Sequence, residues 1–496
     1  MKRKYRFNLK QALFIGLVAA ISFSGCKKYL AINENPNNPD NANPTLLLPT
    51  TEAAISQVIG NSFQVPGNMW AQYWTQSPLA SQYKALDQYN PTTETFDNAW
   101  LNLYQVTLVN ADLIIKSPGA QLENVKGIAY LMKAYAFQVA TDAFGDVPLS
   151  QALQPSVYPN PKYDAQQVVY DSIFMYINKA LPLLKASAVS PGSQDMIFNG
   201  DMTQWVAFAN TLELRAYLRL SNIDPVTAKA GIAALYQTNP TFLTADASIT
   251  YTPTGGNENP FYNEAASPQL GKVQNVVASS TIVNAFTANN DPRLSKFFTL
   301  FIDKVSPADS VESIPQGDYL AYVNKKVSPP SPLVGGKADD PASATAPVKL
   351  ISAAESYFLQ AEAVARGWAT GDVTALYEAG ITASFDATGA GDPTAYITTA
   401  PAGLQALATA VTVNDKVKAI ITQKYFAMCG FQGFEAWTEW RRTGYPTFFV
   451  PSAASIIAAG QMPLRMRYPN SEATSNLHFP GTIPIYQPVW WGLSNP

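Results

Sequence analysis

Five stretches before residue 221 share one pattern, and it constrains the chain more than anything else in it. Apolar side chains recur at helical spacing, with alanines set between the large ones. The first stretch opens at Thr45, a residue suited to cap a helix, and continues through Leu46, Leu47, Ala53, Ala54 and Val58. The spacing predicts further helices over 93–116 (Trp100, Leu101, Tyr104, Leu108, Leu113), 122–144 (Ala129, Ala134, Ala136, Phe137, Ala140), 164–185 (Val168, Val169, Ile173, Tyr176, Leu181) and 203–220 (Trp205, Phe208, Leu212, Leu218). The same character returns over 351–368, 373–387 and 413–429, with a short helix at 434–442. Residues 240–348 break the pattern. They are dense in Pro, Gly, Asn and Ser, which predicts loops and a few short strands. The tail from Gly444 reads the same way. Helix pairs with small residues between large ones suggest tetratricopeptide-like stacking, although no strict 34-residue period is visible. Periodicity alone therefore gives a mainly α fold with long excursions, and loops of that length are usually functional.

The N-terminus sets the compartment. Lys2, Arg3, Lys4, Arg6 and Lys10 precede the apolar run 12–23, which is too short to span a bilayer well. Ser24-Gly25-Cys26 follows and resembles a bacterial lipobox, in which the cysteine is lipidated and becomes the first mature residue. The expected organisation is a signal peptide at 1–25, a lipid-anchored Asn- and Pro-rich tether at 26–44, and one large domain at 45–496. Within that domain the helical scaffold covers about 45–238 and 350–445, the loop-rich region about 240–348, and the tail 446–496. Losing the leader moves the formal charge from −3 to −8. Two or more acyl chains would anchor such a chain stably.

Scarce residues exclude whole classes of chemistry. One histidine, His478, rules out multi-histidine zinc sites. Two cysteines, Cys26 and Cys429, rule out iron–sulfur clusters and a disulfide scaffold. An acidic balance argues against nucleic acid. Only 14% of residues are charged while 12% are aromatic, so the composition leans toward neutral, hydroxyl-rich partners.

Several motifs, in order, resemble the SusD/RagB family of Bacteroidota outer-membrane lipoproteins, in its SusD-like branch. They are Cys26-Lys27-Lys28-Tyr29-Leu30 with Asn35-Pro36-Asn37-Asn38-Pro39, Asp142-Ala143-Phe144-Gly145-Asp146-Val147-Pro148, the run Trp205 to Arg219, and Glu355-Ser356-Tyr357-Phe358-Leu359-Gln360-Ala361-Glu362-Ala363. The most specific are Gln423-Lys424-Tyr425 and Glu435-Ala436-Trp437-Thr438-Glu439-Trp440-Arg441-Arg442-Thr443-Gly444-Tyr445-Pro446, closed by Arg467-Tyr468-Pro469, Glu472 and Asn476. The resemblance covers nearly all of the mature chain. It implies a superhelical scaffold of tetratricopeptide-like helix pairs with a long loop-rich insert facing the ligand. It also implies a role at the outer membrane without cofactor or catalysis, as a lid on a SusC-like TonB-dependent transporter that captures glycans or, in some branches, peptides. Lys27 and Lys28 stand where surface-exported relatives often carry acids, which leaves the face of the membrane open.

Neutral sugars present apolar C–H faces and a rim of hydroxyls, so aromatic rings flanked by amides suit them. Tyr73, Trp74 and Gln76, with Tyr83 beyond, fit that recipe, and so do Asn259 and Tyr262 in the loop-rich region. Trp70, Tyr73 and Trp74 equally fit one buried helix face. A glycosidase would need a free carboxylate pair. Glu435 and Glu439 lie beside Arg441 and Arg442, which favours ion pairing, and Asp142 and Asp146 favour turn hydrogen bonds. Cys429 reads as a buried thiol and His478 as a loop hydrogen-bonder. A peptide-capturing protein and an extracytoplasmic glycosidase are the alternatives.

Overall fold

Each strongly periodic stretch forms a helix. In the computed structural model the described residues are 43–267, 271, 273–301 and 310–496; the expected leader, Cys26 and all but the end of the tether lie outside them. Helix α1 (Pro44–Gln57) runs through the π-helical turn Val58–Ser62 toward α2 (Gln64–Trp70). A single turn, α3 (Lys84–Asp87), precedes the rod α4, which is built of Asp97–Leu101, the π-helical Asn102–Leu108 and Val109–Lys116. Then come α5 (Glu123–Phe144), α6 (Gln166–Ala180), α7 (Met202–Arg219) and α8 (Pro225–Gln237). The loop-rich region holds α9 (Ser280–Ala288). The scaffold resumes with α10 (Ala353–Ala365), α11 (Val373–Thr388), α12 (Val413–Met428) and α13 (Gly433–Thr443), and α14 (Asn470–Ser475) stands in the tail.

The ends of these helices have local causes. Asp201 caps α7 by accepting from the Thr203 and Gln204 amides, and Ser352 caps α10 by accepting from Glu355 N at 3.1 Å. Thr412 and Asp415 form a reciprocal capping box at α12. At the end of α11, Gly389 adopts a left-handed conformation. Two longer helices, besides short turns such as α3 and α14, were not expected from spacing. Helix α8 starts at Asp224-Pro225, where Asp224 caps and proline occupies the first turn. Helix α9 is capped by Ser279.

Neighbouring helices pack as pairs, α5 with α6, α7 with α8, and α10 with α11. Two of these pairs close by the same device. The Tyr217 ring of α7 lies against Gly231 of α8, and the Phe358 ring of α10 lies against Gly380 of α11. A Cβ at Gly231 would sit 2.1 Å from the tyrosine ring, and one at Gly380 would sit 2.7 Å from the phenylalanine ring. A small residue facing a large one lets the axes approach closely.

Strands are few and short. Three antiparallel pairs form: β1 (Trp74–Gln76) with β5 (Val276–Ala278), β2 (Val147–Pro148) with β3 (Tyr163–Asp164), and β4 (Ala247–Ile249) with β6 (Val348–Ile351). The β1–β5 pair matters most for function, because it fastens the loop-rich region to the end of α2. Trp74 stands opposite Ala278, and Gln76 opposite Val276. Among the described residues, no helix is long and apolar enough to cross a membrane.

Candidate functional site

The segment between α2 and α3 departs from the helical reading of Trp70, Tyr73 and Trp74. Helix α2 ends at Trp70, and Gln72 takes a positive φ of 58° that turns the chain into β1. The Gln72 amide holds this bend: Nε2 donates to the Val450 carbonyl at 2.6 Å, while Oε1 accepts from the Thr281 hydroxyl at 2.8 Å. Tyr73 and Trp74 therefore lie on different elements from Trp70, yet all three are buried.

That burial removes most of the expected aromatic platform. Tyr73 stacks on Tyr425 at 4.5 Å between centroids, and its hydroxyl donates to the Tyr425 carbonyl. Trp74 stacks on Phe261 at 5.3 Å. Neither ring has a face open to solvent. Gln76 is also buried; its Nε2 donates to the Ser77 and Asn275 carbonyls at 3.1 Å, and its Oε1 accepts from Tyr83 N at 2.7 Å. It shapes the following loop from beneath. Asn259 donates to the Ala346 carbonyl at 2.8 Å and accepts from Tyr262 N at 3.0 Å, so its amide is used by the main chain. Tyr262 is 6% exposed and packs on Ala266 and Ala344. In this structure each of these five is covered, and both side-chain amides bond to the main chain.

Tyr83 is different. It closes the loop 77–83, which leaves the β1–β5 pair, exposes Leu79 at 71%, and separates two surface grooves. The first groove encloses about 330 Å³. Val65, Pro66 and Leu86 give it an apolar floor, and the amides of Asn61, Gln82 and Asn98 stand around the rim with Glu264. The Tyr83 ring forms one wall, and its buried hydroxyl has no hydrogen-bond partner. Burial, and secondarily the negative charge of Glu264, push this phenol well above the ordinary tyrosine range, so it stays a neutral donor. The second groove, about 410 Å³, lies on the other side of the loop, against Ser77, Pro78, Leu79 and Phe301. Both volumes suit a small-molecule or oligomer subsite. Sequence reasoning missed Asn61, Asn98 and Glu264. Glu264 follows the singled-out Tyr262 by two residues on the same π-helical turn, Tyr262–Ala266.

One buried carboxylate holds the loop in place. Asp87, at the end of α3, accepts from the Thr75 hydroxyl (2.8 Å), Gln76 N (2.7 Å) and Gln316 Nε2 (2.7 Å). It thus ties β1, α3 and the 316–317 turn together. Burial outweighs these three hydrogen bonds and pushes its pKa up to about 6. Lys84 lies over the Tyr319 ring at 5.4 Å and adds a second brace.

The carboxylates that a hydrolase reading would need are engaged elsewhere. Arg219 of α7 donates to both Glu435 oxygens at 2.6 and 2.7 Å, to Glu439, and faces Asp142 at 3.2 Å. Arg442 grips Glu362 with two bonds of 2.7 Å and Glu439 with two, of 3.1 and 2.5 Å. Burial alone would raise Glu439, but Arg442, Lys424 and Arg219 hold it well below the usual carboxylate range. Glu435 is lowered for the same reason by Arg219, Arg215 and Lys424. Asp142 accepts from Tyr170 at 2.6 Å and Trp491 Nε1 at 2.9 Å. Asp146 accepts from Gln166 N at 3.0 Å. Cys429 is buried and free, and the His478 ring meets the Asn160 carbonyl at 2.8 Å. Among the described residues, no group of three or more His, Cys, Asp or Glu is placed to hold a metal ion.

Comparison with known proteins agrees with this architecture. Residues 36–469 match the SusD-like family described as starch-binding and associating with the outer membrane. A solved structure titled a chitin-binding protein superposes with a TM-score of 0.75 at 25% identity, covering 91% of this chain and 100% of its own. A chitin-binding SusD homologue from Flavobacterium johnsoniae gives 0.73 at 24% identity, over 90% and 99% of the two chains. A SusD homologue from Bacteroides uniformis gives 0.73 at 23%, also over 90% and 99%. No curated protein matches the chain significantly in sequence. The mainly helical scaffold of tetratricopeptide-like pairs, with its loop-rich excursion, is thus the fold of these relatives, and the chain belongs to the SusD-like family of glycan-binding, outer-membrane-associated proteins.

Proposed function

We propose that this protein is a lipid-anchored outer-membrane capture protein for oligosaccharides, held through Cys26, that passes its ligand to a SusC-like TonB-dependent transporter. The observation that carries the reading is the first groove. Apolar side chains, the amides of Asn61, Gln82 and Asn98 and the Tyr83 ring form a surface matched to a sugar's C–H face and hydroxyl edge. Capture needs no covalent step, and the closely spaced pair Glu435 and Glu439 is bound to arginines in the core. Family membership supports glycan as the cargo and the outer membrane as the place. Tethering near the transporter raises the effective concentration, so modest intrinsic affinity suffices.

The test is calorimetric titration of the full-length protein, purified in detergent, against oligosaccharides and oligopeptides, followed by analysis of each mixture for cleavage products. Saccharide binding without cleavage is the expected result. Cleavage overturns the capture reading. Binding of peptides alone keeps the lid role and changes the cargo.

A further inference from the structure

The two grooves flanking the loop 77–83 differ in charge. Among the described residues, the first is lined by one acid, Glu264, and no base. The second is lined by Lys325, Lys326 and Lys337, and no carboxylate lines it among the described residues. The whole sequence has more acids, 36, than lysines and arginines, 33, so three lysines around one cavity run against its composition.

The lysines are positioned rather than scattered. Lys325 Nζ lies 3.1 Å from Glu312 and donates to the Ser313 carbonyl at 3.0 Å, while Lys337 Nζ lies 3.0 Å from Asp340. Neither acid lines the groove, but each offsets part of its lysine's charge, so Lys326 contributes the largest uncompensated one. Lys326 is exposed and makes no ion pair among the described residues. Pro78, Leu79, Val277 and Phe301 provide apolar surface beneath them. An ammonium is a compact point charge that attracts an anion without demanding the planar geometry an arginine would. An apolar floor under a cationic rim therefore suits a sugar ring bearing a negative substituent.

We propose that the second groove selects saccharides carrying an anionic group, a carboxylate or a sulfate ester. The proposal rests on the capture reading and specifies its ligand class. Lys325 and Lys326 supply the attraction, and the floor of Leu79 and Phe301 takes the ring.

The experiment compares matched ligands on the full-length protein in detergent. Malto- and cello-oligosaccharides are titrated beside their C6-oxidised uronate forms and their sulfated forms, at low and high salt, with an oligoglutamate peptide as a further arm. The anionic saccharides should bind roughly three- to tenfold tighter than their neutral parents, the range expected for one or two exposed charge contacts. The margin should shrink with salt. It should fall close to unity in Lys325→Ala/Lys326→Ala, while Lys326→Arg retains it and neutral affinity persists. A margin for uronates only, or for sulfates only, supports the proposal and identifies which anion is read. Equal binding of neutral and anionic forms overturns the proposal and leaves the capture reading intact. Preference for oligoglutamate over every saccharide overturns it in favour of peptide cargo. Absence of all saccharide binding overturns both.

Discussion

Tyr83 and Asp87 show how differently two buried polar groups in one segment can behave. The Tyr83 hydroxyl is buried and unpaired within the fold, so Tyr83→Phe should raise the unfolding free energy by about 1 kcal/mol in urea unfolding. Tyr83→Ala, which removes the ring that walls the first groove, should weaken oligosaccharide binding roughly three- to tenfold, as calorimetry would show. Asp87 has the opposite profile. Burial lifts its folded pKa to about 6, above the 3.8 of an unperturbed aspartate. Its contribution to stability is therefore full below pH 3.8 and is lost as pH rises through 6. Asp87→Asn removes that dependence. The stability of the variant relative to the parent should increase by about 2 kcal/mol between pH 4 and pH 8 in urea unfolding. The unpaired Gln316 Oε1 is available to an asparagine amide after one flip. The aromatic and amide richness of this segment was legible in its residues, but the roles of its members were not. Tyr73, Trp74 and Tyr83 are the same kinds of residue, and only the turn at Gln72 and the strand pairing decide which ring is covered.

At the scale of elements, legibility followed periodicity. The expected helices at 122–144, 203–220, 373–387 and 413–429 agree with α5, α7, α11 and α12 to within a residue at each end, because each buries a continuous apolar stripe. Helix α8 escaped because it buries only Ala228, Ile232 and Leu235; its signal was the Asp224-Pro225 start. Of the first groove only Tyr83 was named from sequence as a ligand-binding residue. Its amides and its acid, at 61, 82, 98 and 264, are related by no sequence spacing. The helix pairs carry their own prediction. Gly380→Ala forces a Cβ onto the buried Phe358 ring, so the helix-propensity gain of about 1 kcal/mol is outweighed and overpacking costs about 1–3 kcal/mol. The midpoint of thermal unfolding should fall, and Phe358→Leu in the same chain should recover part of the loss.

Taken as a whole, the molecule is joined by charge as well as by apolar packing. Arg215, Arg219, Lys424, Arg441 and Arg442 are buried with Asp142, Glu355, Glu362, Glu435 and Glu439, five cations with five anions drawn from α5, α7, α10, α12 and α13. Arg219→Met leaves three of those acids short of a partner, and should destabilise the protein by about 3–5 kcal/mol in urea unfolding. Glu362, Glu435 and Glu439 are held below their ordinary range. Their stabilisation is present above pH 4.5 and is lost as pH falls toward their depressed values, so acid unfolding should set in below pH 4.5. Helical repeats ordinarily depend on nearest neighbours alone and can peel away one at a time from either end. Here Asp142 and Arg442 belong to one electrically neutral cluster although 300 positions separate them. Lifting any one of α5, α7, α10, α12 and α13 away strands bare charge in the others. Under mechanical load these five helices would have no weak first repeat among them, and would hold together or fail as one piece.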